Sequence, residues 1–142
     1  MITQIKNEDY TDKHEIGCAR MENRDILTER IIASCFKVHN ELGPGLVEKI
    51  YQRSLIYALK EDRLKVEGEK EFDVHFSSIK VGSLRVDLIV ENKVIVEIKA
   101  LSGNIPDIFR YQLLSYLKVS GLKVGLLVNF GNINCRIKRL VN

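Results

Sequence analysis

The segment at residues 94–100, VIVEIKA, constrains the fold of this chain more than any other. It is short and rich in β-branched residues, which is typical of a strand buried on both faces in the centre of a sheet. Two charged residues, Glu97 and Lys99, interrupt it. Because side chains two residues apart project from one face of a strand, this acid and this base lie together with Ile95. The pattern therefore predicts a polar site on a buried face of a central sheet.

Hydrophobic periodicity divides the rest of the chain into helices and strands. Helical spacing marks residues 25–42, 46–63 and 107–120, and strand patterns mark residues 66–76, 81–90, 124–130 and 134–141. The order of these elements predicts a mixed sheet with helices packed against it, an α/β or α+β sandwich. Residues 1–24 are charged and poor in large apolar side chains, so we expect a loosely ordered N-terminal arm before a single domain at 25–142.

Length, cysteine usage and the N-terminus limit the class of protein. A chain of 142 residues can bury a core without disulfides or metal. Cys18, Cys35 and Cys135 are far apart and odd in number, which indicates neither a disulfide framework nor a zinc or iron–sulfur site and favours a reducing compartment. The N-terminus has no apolar leader, and no apolar run approaches the roughly 18 residues of a membrane span. We therefore expect a cytoplasmic protein with no membrane partner.

The distribution of charge says more than the net charge of +3. No Asp or Glu occurs after residue 107, although cations continue to the end of the chain. This region is a candidate basic surface for a polyanion, and the alternative is an ordinary solvated face. Its cations are Arg110, Lys118, Lys123, Arg136, Lys138 and Arg139.

Asp87 is a third charged residue that the strand pattern brings toward the same face. Pairing residue 87 with residue 97 centres the intervening turn on Asn92 and requires the three-residue loop Glu91-Asn92-Lys93. A two-residue loop would place Asp87 and Glu97 on opposite faces, barring a bulge. Asn92 is the residue of this loop that best tolerates a positive φ.

The helices contribute further polar candidates. Glu48 begins a helical stripe that otherwise contains Tyr51 and Leu55, and the alternative is an acid favoured by the dipole of the first turn. Gln112 and Tyr116 are neighbours on the third helix because they are four residues apart. Taken alone, that pair is also typical of a helix-surface or helix-packing contact.

Three carboxylates and a lysine on one partly buried surface need a counter-charge. Carboxylate oxygens without His or Cys suit a hard divalent cation such as Mg²⁺ or Mn²⁺. Lys99 would then hold or deprotonate a water, or neutralise charge that develops on a phosphate. The alternative is a structural ion-pair network in which Lys99 satisfies Glu97 and Asp87.

Several motifs resemble known families. Asp87 followed ten residues later by Glu97-Ile98-Lys99 resembles the active-site motif of the PD-(D/E)XK nuclease superfamily, with Val86 at the position of the namesake proline. More closely, the chain is similar to the GxxExxY proteins, a bacterial and archaeal family usually placed in that superfamily. The resemblance covers residues 25–141, and its segments are VHNELGPG at 38–45, GLVEKIY at 45–51, RVDLIVENKVIVEIKA at 85–100, QLLSYL at 112–117 and GLLVNFG at 125–131.

The resemblance implies a fold and a set of roles. The fold would be a three-layer α/β/α restriction-endonuclease-like fold with a mixed central sheet. Asp87, Glu97 and the backbone carbonyl of Ile98 would be metal ligands, Lys99 the catalytic lysine, and Glu48 an auxiliary acid that acts directly or through water. Gln112 and Tyr116 resemble the Q-x-x-x-Y element of RecB-like nucleases, which supports the site near the substrate backbone. The absence of clustered cysteines excludes the iron–sulfur subtype of those nucleases.

The leading hypothesis is a Mg²⁺-dependent nuclease that hydrolyses phosphodiester bonds in DNA, with Arg136, Lys138 and Arg139 binding the substrate backbone. RNA stays open as a substrate, and so does the choice between endonuclease and exonuclease. No separate sequence-reading domain fits in this length, so high specificity would require a homodimer or a protein partner. The rival hypothesis is a catalytically silent module with the same fold that binds nucleic acid or another protein.

Overall fold

The computed structural model describes residues 25–142 and the backbone of residues 6–11. It contains three helices packed on a mixed sheet, with one further hairpin. The elements are β1 (Lys6–Thr11), α1 (Ile26–Leu42), α2 (Glu48–Glu61), β2 (Val66–Gly68), β3 (Glu71–Phe76), β4 (Ile79–Arg85), β5 (Leu88–Val90), β6 (Val94–Lys99), α3 (Asp107–Ser120), β7 (Val124–Asn129) and β8 (Arg136–Val141).

The central sheet has the strand order β1-β8-β7-β6-β5-β2. Only the β6–β7 pair among these strands is parallel, and α3 forms the crossover between its two members. One apolar core joins α1 and α2 to the face that carries Val96 and Ile98, and a second joins α3 to the face that carries Ile95 and Leu127. The predicted three-layer α/β/α architecture with a mixed sheet is confirmed.

The turn between β5 and β6 has the length on which the predicted site depends. Leu88 pairs with Val96 and Val90 with Val94, which leaves a three-residue loop centred on Asn92. Asn92 has the expected positive φ of 53°, and Glu91 has one of 52° as well. The unexpected conformation of Glu91 is held by its bonds to Lys65, because its N–H donates to the Lys65 carbonyl and its carboxylate accepts from the Lys65 N–H.

Two predicted strands are each divided in the structure. Residues 66–76 form β2 and β3, and residues 81–90 form β4 and β5. Their pairing is nevertheless continuous, because the Glu69 N–H donates to the Asp87 carbonyl and the Val86 N–H donates to the Lys70 carbonyl between the two ladders. At this point Glu69 has a positive φ of 55°, and the ribbon bends out of the central sheet. We call the part that leaves, residues 71–85, the β3–β4 arm.

The bend also changes which face Val86 occupies. Simple alternation places Val86 with Leu88 and Val90 on one face. In the structure Val86 is fully buried against α3 with Ile89, whereas Leu88 and Val90 belong to the core beneath α1 and α2. The alternation fails here because the bend interrupts the strand between residues 85 and 88.

Part of the predicted N-terminal arm has a defined backbone. β1 pairs antiparallel with β8 at the edge of the central sheet, from Lys6 opposite Val141 to Thr11 opposite Arg136. No strand was predicted there, because the segment is short and charged. Residues 1–5 and 12–24, including Cys18, lie outside the described residues. Among the helices that the structure describes, none is long and apolar enough to cross a membrane.

Cys35 and Cys135 are free thiols inside the core beneath α1 and α2. Burial raises the pKa of Cys135 to about 12 and raises the pKa of Cys35 well above its ordinary value. Both therefore stay protonated at neutral pH and act as small apolar side chains.

Candidate active site

Asp87 lies where the β3–β4 arm separates from β6. Its Oδ2 accepts a hydrogen bond from the Ile98 N–H at 2.8 Å, beyond the last paired residues of β5 and β6. Its main-chain carbonyl accepts from the side-chain amide of Gln52 at 3.0 Å and from the Glu69 N–H at 3.0 Å. Both the backbone and the carboxylate of Asp87 are therefore fixed by the surrounding sheet and by α2.

Glu97 lies beside Asp87 with only 5% of its surface exposed. Its Oε1 is 3.4 Å from the Asp87 N, which donates to it. Burial is the main cause that raises the pKa of Glu97 from 4.5 to about 9, and the bond to the Asp87 carboxylate and its charge add to this rise. The Asp87 N–H and the charge of Lys99 oppose it more weakly. Without a bound cation, Glu97 therefore keeps its proton at neutral pH.

Lys99 follows on the same face of β6 and lies against α3. Its Nζ is 4.2 Å from the centre of the Phe109 ring, a cation–π contact. Its carbonyl accepts from the Phe130 N–H at 2.9 Å, which continues the pairing with the chain after β7. Phe109 was not among the predicted site residues, because an aromatic residue on the apolar face of a helix gives no sign that it contacts a lysine.

Gln112 and Tyr116 lie on the face of α3 that looks toward the two acids. Desolvation raises the pKa of the Tyr116 phenol, and the charges of Glu97 and Asp87 raise it further, while the neighbouring Gln112 side chain opposes this. The predicted helix pair is therefore assembled beside the carboxyl groups.

Glu48 is exposed at the first residue of α2. Among the described residues, no group of three or more His, Cys, Asp or Glu is close enough together to hold a metal ion. The structure therefore brings together two of the three predicted carboxylates, Asp87 and Glu97, and Glu48 does not complete a preformed cluster. Glu48 lies one turn before Gln52, which contacts the Asp87 carbonyl.

The three predicted cations of β8 lie on different faces. Arg136 pairs opposite Asn129, which pairs opposite Lys99, so these residues form a row on the face of the carboxyl pair. Lys138 lies on that face too, because it is opposite Leu127 and Leu127 is opposite Glu97.

Arg139 lies on the other face of the sheet. It is 8% exposed, and its Nη2 is 3.8 Å from the carboxylate of Asp25, the N-cap of α1. That is the placement of a structural contact with α1, away from the carboxyl pair.

The Asn129 side chain binds the backbone that follows Lys99. It is fully buried, its Oδ1 accepts from the N–H groups of Leu101 and Gly131, and its Nδ2 donates to the Leu101 carbonyl. A Cβ at Gly131 would lie 2.4 Å from the Leu101 backbone, so only glycine permits this approach. This role was not predicted, although a single Asn in an otherwise apolar strand is a signal for it.

Tyr51 is a core residue of the segment that resembles the GxxExxY signature. Its ring stacks on Phe130 with centroids 4.6 Å apart, and the His39 ring lies 6.2 Å from the same Phe130 ring. The Tyr51 hydroxyl donates to the Gly43 carbonyl and accepts from the Leu46 N–H, which fixes the loop before α2. His39 also lies 2.8 Å from the Asn132 carbonyl through Nε2, as expected for a buried helix-packing histidine.

The donor set fits a hard divalent cation. The Glu97 carboxyl lies against Asp87, whose N–H donates to it, so the two side chains can supply oxygen ligands, and burial of Glu97 makes its charged form unfavourable without a counter-charge. Lys99 stands on the same strand face with an ammonium group. This arrangement can bind a cation, hold a water near a lysine and accept an anionic substrate oxygen.

Comparison with known proteins identifies the family of this chain. The model of the PD-(D/E)XK nuclease superfamily matches residues 25–140, and the mixed sheet with its helices is a restriction-endonuclease-like fold. A crystal structure of the protein SSO0001 is 27% identical with a TM-score of 0.45, over 57% of this chain and 43% of that one. The matched region thus spans less than half of that protein. No match is found among the curated proteins.

Proposed function

Because this chain belongs to the PD-(D/E)XK nuclease superfamily, we propose that it hydrolyses phosphodiester bonds in DNA with a divalent cation held by Asp87 and Glu97. Members of the superfamily are usually phosphodiesterase nucleases and typically use divalent metals such as Mg²⁺. The observation that carries the proposal is the carboxyl pair, in which a buried Glu97 with a pKa of about 9 lies beside Asp87. A buried pair of acids is expected to ionise fully only with a cation between them.

The ligands would be the carboxylates of Asp87 and Glu97, with Mg²⁺ or Mn²⁺ as the ion. By the resemblance to the superfamily, the Ile98 carbonyl would add a backbone oxygen and Glu48 would act through water. When bound, the cation lowers the pKa of a water and polarises a phosphate oxygen. The chain prepares this arrangement in advance, because the Ile98 N–H and the Gln52 amide already hold Asp87 in place.

Lys99 is the group that we assign to the attacking water and the developing phosphate charge. Its ammonium lies over Phe109, so its position is limited before any substrate arrives. A positioned cation contributes to the rate because it needs no rearrangement as charge develops. Gln112 and Tyr116 would contact the substrate backbone next to the carboxyl pair.

Arg136 and Lys138 are the cations that we assign to the substrate backbone. Arg136 lies two strands from Lys99 in the same row, about 10 Å at the usual strand spacing. Its Nη1 donates to Asn104 Oδ1 at 3.0 Å, which holds it near the loop after β6. We therefore expect the affinity for DNA to fall as salt rises.

The finer family assignment belongs to the same proposal. We infer that the chain is a GxxExxY protein, and the contacts of Tyr51 with Gly43 and Leu46 support this, because they give the final residue of that signature a structural role. A cytoplasmic location and action as a homodimer or with a protein partner stay predictions.

The test is a cleavage assay on purified protein. End-labelled linear DNA and circular single-stranded and duplex DNA are incubated with Mg²⁺, Mn²⁺ or EDTA, beside the variants Lys99→Ala and Lys93→Ala. Lys93 is the matched control, because it lies in the turn at the opposite end of the same hairpin. We expect metal-dependent products with the wild type and Lys93→Ala, and none with Lys99→Ala.

Two results would contradict the proposal. Products that persist with Lys99→Ala would show that another protein or another site does the cleavage. Absence of products from every DNA substrate with either metal would favour the catalytically silent module.

A further inference from the structure

The β3–β4 arm is physically continuous with the candidate active site. The ladder that joins Gly68 to Leu88 passes through Glu69 and Asp87 and continues into the arm without a slip in register. Asp87 therefore lies at the base of the arm. From this base to the tip the arm extends about six residues, or roughly 20 Å.

The arm has one apolar face, which begins buried and ends exposed. At its base Phe72 pairs opposite Leu84, and both pack against the core under α3, on the face of the sheet that carries the carboxyl pair. At its tip Phe76 pairs opposite Ile79 across the Ser77-Ser78 turn, and these side chains are 72% and 66% exposed. The apolar face thus continues past α3 into solvent.

The tip of the arm is a tight turn with a defined backbone conformation. Both turn residues have positive φ, 50° at Ser77 and 68° at Ser78, which is the backbone of the tight two-residue hairpin. A bulge between Val74 and His75 follows immediately, and it leaves the 61% exposed Val81 as the extra residue. Phe76 and Ile79 are therefore presented together at the end of the hairpin, which marks an interaction surface.

The charged side chains of the arm lie away from its apolar face. The arm contains two acids, Glu71 and Asp73, and two basic residues, Lys80 and Arg85. The two ion pairs of the arm, Lys80 with Asp73 and Arg85 with Glu71, lie on the face opposite Phe76. An aromatic and aliphatic surface without acids suits nucleobases, whose flat faces stack on aromatic side chains while their phosphates avoid carboxylates.

We propose that Phe76 and Ile79 at the tip of the arm contact unpaired nucleobases, so that the substrate carries a single-stranded segment near the cleaved bond. This inference rests on the proposed nuclease function and adds the class of substrate. Duplex bases are already stacked on each other, so the tip discriminates against a continuous duplex.

The first experiment measures binding in EDTA, where no cleavage occurs. Fluorescence anisotropy compares a single-stranded oligonucleotide with its duplex for the wild type and for Phe76→Ala combined with Ile79→Ala. We expect the double variant to bind the single strand about 10-fold or more weakly and to bind the duplex within about 2-fold of wild type. The matched control is Tyr57→Ala combined with Ile26→Ala, an exposed aromatic and aliphatic pair outside the arm, which should bind as the wild type does.

A second variant reports the contact directly. The chain contains no tryptophan, so Phe76→Trp places a single indole at the tip. We expect its fluorescence to be quenched by the single strand and to change little with the duplex, because stacking requires an open base. This measurement does not depend on cleavage or on loss of affinity.

Several results would overturn the proposal. They are equal binding of the single strand by the wild type and the tip variant, an indole that does not respond, and no binding of either nucleic acid. A wild-type dimer that the tip variant converts to monomer in sedimentation would assign the tip to a second copy of the chain instead. These results can be separated from a failure of the proposed nuclease function. If the tip variant weakens binding but no DNA is cleaved, only the nuclease function is contradicted. If DNA is cleaved but binding does not depend on the tip, only the role of the arm is contradicted.

Discussion

Glu97 places a carboxyl group in the middle of a β-sheet. Some of the residues around it could be predicted from the sequence, and others could not. Glu97, Lys99 and Asp87 were predicted as site residues because a charge in an apolar strand is unfavourable without a partner. Phe109 and Gln52 contact the same residues, but an apolar ring on a helix and an amide one residue after Tyr51 look like ordinary packing. Such supporting residues depend on tertiary contacts that periodicity does not encode.

The pKa of Glu97 predicts how stability depends on pH. The unfolded chain holds this proton only up to about pH 4.5, whereas the folded chain holds it up to about pH 9. Between these values the folded state binds more protons, so stability falls as pH rises. We expect the Tm in EDTA to fall by about 5 °C or more from pH 5 to pH 9, and Glu97→Gln to flatten this fall. Thermal denaturation followed by circular dichroism measures both, and equal slopes would contradict the assignment.

Phe109 tests whether the position of Lys99 matters for the rate. Phe109→Leu keeps an apolar side chain but removes the ring under the ammonium, a contact of about 1 kcal/mol or more. We expect kcat to fall about 5-fold or more, with little change in Tm, and Phe109→Tyr to keep the wild-type rate. Single-turnover cleavage assays measure the rate. If the leucine variant cleaves as fast as the tyrosine variant, the ring does not position Lys99.

The β5–β6 hairpin shows what can be predicted about an element. Its register followed from requiring Asp87 and Glu97 to share a face, and the structure has the same three-residue loop. The bend at Glu69 was not foreseen, because the ladder continues through it and only the direction of the ribbon changes. Sequence alternation reports pairing and burial, and it does not report where a paired ribbon leaves one sheet for another.

Asn92 gives a test of this turn. Its φ of 53° lies in the left-handed region, where a β-branched residue is disfavoured by about 1–2 kcal/mol. We expect Asn92→Val to lower the free energy of unfolding by about that amount and Asn92→Gly to leave it nearly unchanged. Urea denaturation measures both variants. A valine variant as stable as the glycine variant would show that the turn adopts another conformation.

The charged side chains on the two faces of the central sheet have different surroundings. The order of helices and strands predicted a mixed sheet with helices packed against it, and the three layers came from the resemblance to the nuclease superfamily. The sequence also indicated a basic C-terminal region, but charge alone did not separate Arg136 and Lys138 from Arg139. That separation depends on strand register, which places neighbours in the sequence on opposite faces.

Substitutions on these two faces should have different effects. Arg136 is exposed on the face of the carboxyl pair, so we expect Arg136→Ala to lower the salt dependence of DNA affinity by about one in log–log slope, with an unchanged Tm. Arg139→Ala should leave that slope unchanged and lower the free energy of unfolding by about 1–2 kcal/mol, because it removes packing against α1. Binding titrations at several salt concentrations and thermal denaturation separate the two, and the reverse pattern would contradict the assignment of the faces.

The hydrogen bond from Ile98 to Asp87 has a practical consequence for choosing an inactive form of the protein. Where the arm leaves β6, the carboxylate takes the position that a neighbouring strand's carbonyl would otherwise fill. An alanine there would leave the N–H of Ile98, a residue only 1% exposed, without its hydrogen-bond partner, which lowers the free energy of unfolding. Loss of cleavage in an Asp87 variant would then mix loss of chemistry with loss of stability. The Lys99 side chain contacts the Phe109 ring and holds no backbone group in place, so Lys99→Ala is the better inactive form for trapping a bound substrate.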